Sequence, residues 1–277
     1  MAGGIHIDQE AFDEGRLMVV QRALNLWSRE GRGRSARRAN QQAISKLRDI
    51  AGGTHAERML ACQGLAEMLY NGGEGIEPSF RESLAMYTEV LDGTPAHRAI
   101  LRRAGNSTFF TCIVENMLEV GGLVLHDARG EEGQRFLLGL QTRLSEVRKA
   151  WRGTAADVAI RKLLGEIGWM TGQRKTAAKH FQKVVDSAAV AESSCTYNLL
   201  CAICEAQRKL AMMTITEEVT AEAVTRGGEE KEGDVQSAID ERMEEVDRVY
   251  EEATRAVRER LALKQLSLSE DEARQRP

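Results

Sequence analysis

An all-α fold is expected from three features of the sequence. Only three prolines occur in 277 residues, at Pro78, Pro95 and Pro277. Ala, Glu, Arg and Leu, which lose little freedom in a helix, recur throughout. β-branched runs are short, and apolar residues return at helical steps rather than on alternate positions. With 42% hydrophobic residues the chain can bury a real core. No sheet is expected.

The first helix is placed after an Asp8 cap, with Phe12, Leu17, Val20, Leu24 and Trp27 at near-helical spacing, and Gly31-Arg32-Gly33 ends it. A second runs from Ser35 to Ile50 on a thin apolar face and stops at Gly52-Gly53. Thr54 caps a third through Tyr70, which Gly72, Gly73 and Gly75 break. Pro78 sits where it can open the fourth, Ser79 to Leu91, because its missing N–H is no loss in a first turn; Gly93 and Pro95 close it.

Asn106 or Ser107 can cap a helix to Leu125, and the polar segment from His126 to Gly133 reads as a loop. Helices are then expected over Gln134–Trp151, Ala155–Met170, Lys175–Ser187 and Ser193–Thr214, the last with a continuation to Val224. The segment from Gly227 to Asp234 has no apolar residue and reads as a linker. Beyond it Ile239, Met243, Val246, Tyr250, Ala253 and Val257 recur in steps of four and three, a helix-packing seam. Such a helix either folds back on its own body or pairs with another chain, and Tyr250 on the seam is a candidate contact residue.

Charge is unevenly placed. Residues 227–277 hold 15 acids and 9 bases of a chain whose net charge is −4, so the body before them is close to neutral. That balance argues against a general polyanion binder, whose affinity needs a dense basic face. A local exception is Arg29, Arg32, Arg34, Arg37 and Arg38, interleaved with Gly and Ser. This cluster could meet RNA, an acidic membrane surface or an acidic partner; the plainer reading is a solvated loop and helix start.

The first residues lack a basic and then apolar leader, and no apolar run of about 18 residues is apparent, so an intracellular, soluble protein without a membrane span is expected. The five cysteines are an odd set without the spacing of a disulfide framework and are read as reduced thiols. Cys201 and Cys204 are spaced C-x-x-C inside an apolar helical stretch; structural zinc would need two more ligands. His126-Asp127 has no identifiable nucleophile to serve, and the Gly72–Gly75 stretch lacks the lysine and hydroxyl of a phosphate loop. No catalytic residue, cofactor or metal site is expected.

One segment has internal architecture. Counting Val158 as the first position, Leu164, Gly165, Gly172, Ala177, Phe181 and Val184 fall at the seventh, eighth, fifteenth, twentieth, twenty-fourth and twenty-seventh. This resembles the tetratricopeptide repeat. Small residues at Gly165 and Ala177 let two helices approach, Gly172 makes the turn, and Phe181 fills the gap. The consensus tryptophan and proline are replaced by Arg161 and Ala189. A weaker unit, with Leu65, Ala66, Leu69, Gly72, Ile76, Ser83, Tyr87 and Pro95, has an enlarged turn and is similar to the related Sel1-like repeat.

The resemblance implies an irregular α-solenoid of antiparallel helix pairs: an N-terminal helical pair over 1–53, a repeat domain over 54–226, and an acidic linker with a tethered C-terminal helix over 227–277. It also implies that Ala159, Lys162, Glu166, Trp169 and Met170 face a concave groove suited to a peptide or helix. Trp169 could instead be covered by a neighbouring helix. An acid at Glu166 departs from the version that clamps terminal carboxylates, which excludes a chaperone-tail receptor. The expected function is a non-catalytic scaffold or adaptor that binds other subunits of a larger assembly. The alternative is an RNA-associated repeat protein using Arg34, Arg37 and Arg38.

Overall fold

In a computed structural model the chain folds as helices, described over residues 14–27, 30–53, 56–103, 107–187, 197–225 and 232–274, the last fifteen as backbone only. There is no strand among the described residues, and an isolated bridge joins Gly73 to Ile76. Two compact units divide the chain, residues 1–150 and 151–277. The division falls inside the expected 54–226 repeat domain rather than at residue 53 or 226, because the N-terminal pair packs on the third helix and the C-terminal helix packs on the one before it.

The first unit contains α1 (Glu14–Leu26), α2 (Gly33–Ala51), α3 (Glu57–Asn71), α4 (Phe80–Leu91), α5 (Pro95–Leu101), α6 (Ser107–Asp127) and α7 (Gly130–Ala150). Its centre is α3, which α1, α2 and α4 all pack against. Eleven of its fifteen residues are buried, so it reads as apolar on nearly every side. Gly64 lets α1 approach: a Cβ there would sit 2.6 Å from Leu24 Cδ2. The turn into α4 is fixed by glycine at Gly72 (φ 70°), whose amide donates to Met68 O at 2.8 Å. Trp27 and Asn40 tie the preceding helices to this turn, Trp27 Nε1 donating to Gly72 O and Asn40 Nδ2 to Glu74 O.

Several element expectations are corrected here. Pro78 precedes the cap instead of opening α4; Ser79 is the N-cap, its hydroxyl accepting from the Glu82 amide while its own amide donates to Leu69 O at 2.7 Å. Pro95 opens a helix as well as following one: Thr94 caps α5 and Pro95 takes its first turn. The expected loop over 126–133 shrinks to 128 and 129, because Glu131 and Glu132 are first-turn acids that complement the helix dipole of α7. The Asp8 and Thr54 caps, Asn106 and Arg29 lie outside the described residues.

One helix among the described residues, α6, is long and apolar enough to cross a bilayer by length and composition, although Glu115 and Glu119 interrupt its apolar run. Half of its apolar stretch is buried inside the unit, through Phe109, Ile113, Met117, Val120 and Val124, and it packs on α4. A central core helix passes the same compositional test as a membrane span.

The second unit contains α8 (Ala155–Met170), α9 (Arg174–Val185), α10 (Tyr197–Thr225) and α11 (Glu232–Arg274). α8 and α9 form a helical hairpin whose turn uses Gly172 at φ 74°, with Gln173 N donating to Gly168 O at 2.7 Å. The seam is built on absent side chains: a Cβ at Gly165 would sit 2.6 Å from the Phe181 ring, and one at Gly168 3.3 Å from the Ala177 Cβ. Phe181, Ala177 and Val184 are wholly buried. α10 lies against α9 and α8, and α11 lies along α10. The expected linker is shorter than Gly227–Asp234 at its far end, since α11 already includes Glu232 and Asp234.

Candidate functional site

A groove crosses α4 in the first unit. Two clefts of about 350 and 300 Å³ lie on either side of this helix and share Ala85 and Glu89. The larger is walled by Leu65 and Leu69 of α3, Met86 of α4 and the end of α2; the smaller is closed by Phe136, Gly139 and Leu140 of α7. Ala85 is exposed, and a Cβ at Gly139 would meet nothing within 4 Å. Small residues therefore leave the saddle between the clefts open.

Arginines surround it. Glu89 accepts from two of them, Arg58 of α3 and Arg143 Nη2 of α7, the latter at 2.8 Å. Arg143 also reaches Asp92, and these carboxylates hold its guanidinium above the ordinary arginine value despite the opposing effect of its desolvation. On the outer side Arg81 pairs with Glu132 at 3.2 Å while its guanidinium lies 4.8 Å from the Phe136 ring centre. Arg48 reaches Glu82 at 3.6 Å, and Arg135 completes the rim. Next to Arg58, burial pushes the Cys62 thiol up to about 11, which suppresses its thiolate.

Chemically, this arrangement grips rather than reacts. Four of its five arginines meet carboxylates, its thiol is held protonated, and its apolar walls suit a side chain entering from solvent. Compared with protein-family models, with characterised proteins and with solved structures, the chain matches none. Function is therefore read from the surface itself.

The residues expected to bind partners lie elsewhere. Lys162, Glu166 and Trp169 do share one face of α8, but α10 already occupies it: Lys162 Nζ pairs with Glu205 at 2.8 Å and Glu166 with Lys209 Nζ at 3.9 Å. Ala159 is wholly buried. Trp169 is half-buried between two cations, with Arg174 4.9 Å and Lys209 5.2 Å from its ring centre. Met170, at the end of α8, is exposed. The middle of the face read as a concave groove thus meets the next helix of the same unit, while its Met170 end stays exposed.

Tyr250 is half-buried within the second unit, its ring 5.7 Å from the Arg208 guanidinium, which also binds Asp247. Arg242 of α11 pairs with Glu218 and Glu222 of α10. Of the two placements open from the sequence, α11 takes the one in cis. Arg34, Arg37 and Arg38 are exposed in the first turns of α2, and the Arg37 stem crosses Gly75.

Among the described residues no cluster of His, Cys, Asp and Glu could hold a metal ion. Cys62, Cys112, Cys201 and Cys204 are free thiols; Cys195 lies outside the described residues. His126 Nδ1 is 3.3 Å from Asp127 at the exposed end of α6. The α4 groove itself is missed by sequence reasoning. Arg81, Ala85 and Glu89 are a visible i, i+4, i+8 stripe, but Arg135, Phe136, Gly139 and Arg143 come from a helix about fifty residues later. No local pattern couples the two.

Proposed function

We propose that the chain is a non-catalytic helical scaffold, an adaptor that holds another protein within a larger assembly. The α4 groove carries this reading: an open saddle with apolar walls and an arginine rim is suited to holding a peptide. The α8–α9 hairpin supports an irregular tetratricopeptide-like stack, because Gly165, Gly172, Ala177 and Phe181 pack in the manner of that repeat. The free thiols suit a reducing, intracellular setting.

Affinity capture of the full chain with cross-linking tests the reading. A scaffold gives specific partners cross-linked to α4 or α7. A chain that runs as a compact monomer and retains nothing above background does not have this role.

A second reading, contact with RNA, draws on α2. Three cations in its first turns and no acid there oppose the helix dipole, a local cost that the packing of the Arg37 stem on Gly75 offsets at one of the three. Binding of a single-stranded RNA probe at two salt concentrations tests it: affinity should fall steeply with salt and with Arg34, Arg37 and Arg38 changed together to Ala. Unchanged affinity in that variant removes the reading.

A further inference from the structure

We propose that the groove across α4 is a docking site for an acidic peptide segment of another protein that carries one or two large apolar side chains; the proposal rests on the scaffold reading and specifies the partner's chemistry. Charge complementarity is the first reason. The two clefts are lined by five arginines, Arg48, Arg58, Arg81, Arg135 and Arg143, against two glutamates, Glu82 and Glu89. At the centre Glu89 and Asp92 balance Arg58 and Arg143, so the positive surplus lies on the rim, at Arg135 and at the exposed pairs made by Arg81 and Arg48.

Arg135 has no carboxylate partner among the described residues. Arg81 and Arg48 are paired with carboxylates whose side chains are 83% and 59% exposed. Exposed pairs contribute little in water, so an incoming carboxylate replaces Glu132 or Glu82 at small cost. A basic segment would instead be repelled by Arg135 and would gain nothing from the arginines of the rim.

The apolar part of the ligand follows from the floor. Ala85 and Gly139 keep the saddle low, and Leu65, Leu69, Met86 and Leu140 form walls on its two sides. Each cleft has room for an anchoring side chain, with the arginines on the rim where they stay hydrated until docking. An extended segment crossing α4 could place alternate side chains in the two clefts.

An RNA strand is also anionic but fits less well. Single-stranded RNA is held largely by stacking on aromatic faces, and Phe136, the aromatic in the lining, is already covered by Arg81.

Fluorescence anisotropy of the full chain decides between these ligands. The probes are a labelled Asp/Glu-rich peptide with two leucines, the same peptide with its acids changed to lysine, and an oligouridylate of similar charge. The acidic peptide should bind, more tightly as salt is lowered, and the lysine peptide should not. Ala85→Trp, which fills the shared saddle from an exposed position, should weaken the acidic peptide about tenfold or more, as should Arg81→Ala with Arg135→Ala. Arg34→Ala with Arg38→Ala should leave it unchanged.

Equal binding of the lysine peptide, preference for oligouridylate, or acidic-peptide affinity untouched by Ala85→Trp in a chain of unchanged circular dichroism overturns the proposal. If Ala85→Trp fails to fold, the double arginine variant decides in its place: weakened binding supports the groove and unchanged binding overturns it. Partners captured by the wild-type chain and retained equally by Ala85→Trp would overturn the groove and leave the scaffold reading intact. A chain that captures nothing yet binds the acidic probe through Ala85 and Arg135 would do the reverse.

Discussion

The α8–α9 hairpin of the second unit and the α4–α7 pair of the first join helices by opposite means. In the hairpin, glycine removes side-chain bulk so that an aromatic ring lies against backbone: Gly165 receives Phe181, and Gly168 receives Ala177. In the other pair, α7 is tied to α4 by Arg143 to Glu89 and Asp92 and by Arg81 to Glu132, and an open cleft remains beneath the ties. Close packing leaves no room for a ligand and supplies stability. Charged ties across a cleft supply little stability and leave a surface that another molecule can use.

The hairpin should therefore be the more sensitive of the two. Phe181→Ala empties a wholly buried site and is expected to destabilise the second unit by about 3–5 kcal/mol, read from denaturant unfolding. A loss well below 1 kcal/mol would mean the seam does not hold the hairpin.

Gly165→Ala tests the same seam from the other side. Its new methyl would lie 2.6 Å from the Phe181 ring, so a loss of about 1–3 kcal/mol is expected. Combining it with Phe181→Leu should give a smaller loss than the two single changes added, because the smaller side chain makes room. Strict additivity in that cycle would show that the two positions do not touch.

Arg143→Ala should do much less. Its side chain is 40% exposed, and after solvent screening the change is expected to remove no more than about 1 kcal/mol. The informative readout is hydrogen exchange, which should quicken along α7 and leave α3 unchanged. Uniform quickening of both helices would count against a local tie.

The smallest effect concerns Glu67, on the polar side of α3. Burial holds its carboxyl above the ordinary carboxylate value, and the bond from Gln63 only partly offsets this. A carboxyl whose folded value is raised contributes stability at pH below its unfolded value, and that contribution is lost as pH rises through the folded one. Glu67→Gln should therefore be the more stable form at neutral pH, with an advantage that shrinks as the pH falls through the raised folded value and is gone below the unfolded one, about 4. An advantage of constant size across that range would trace to packing instead of ionisation.

How far these regions can be read in advance follows from where their information lies. The hairpin is legible because Gly165, Gly172, Ala177 and Phe181 are close in sequence and each has a local steric role; α8 spans the expected Ala155–Met170. α5 escapes notice because Pro95 signals both an end and a beginning, and only the Thr94 cap settles which. The loop expected over 126–133 rests on polarity, which does not distinguish a loop from the solvent face of a first turn. Likewise Lys162 and Glu166 look like groove residues when α8 is considered alone; the carboxylate and ammonium that meet them are carried by α10.

The sequence by itself determined that the chain is helical, that one hairpin closes on glycine, and that the C-terminal helix has a packing seam. Each of these depends on the backbone preferences and spacing of residues within a turn or two of one another. Tertiary structure decided which helix covers that seam and the face of α8, where the chain divides into units, and that arginines from α3, α4 and α7 meet over Ala85. Those outcomes depend on distant helices coming together, and the pairing of one charge with another fifty residues away leaves no periodic trace in the chain.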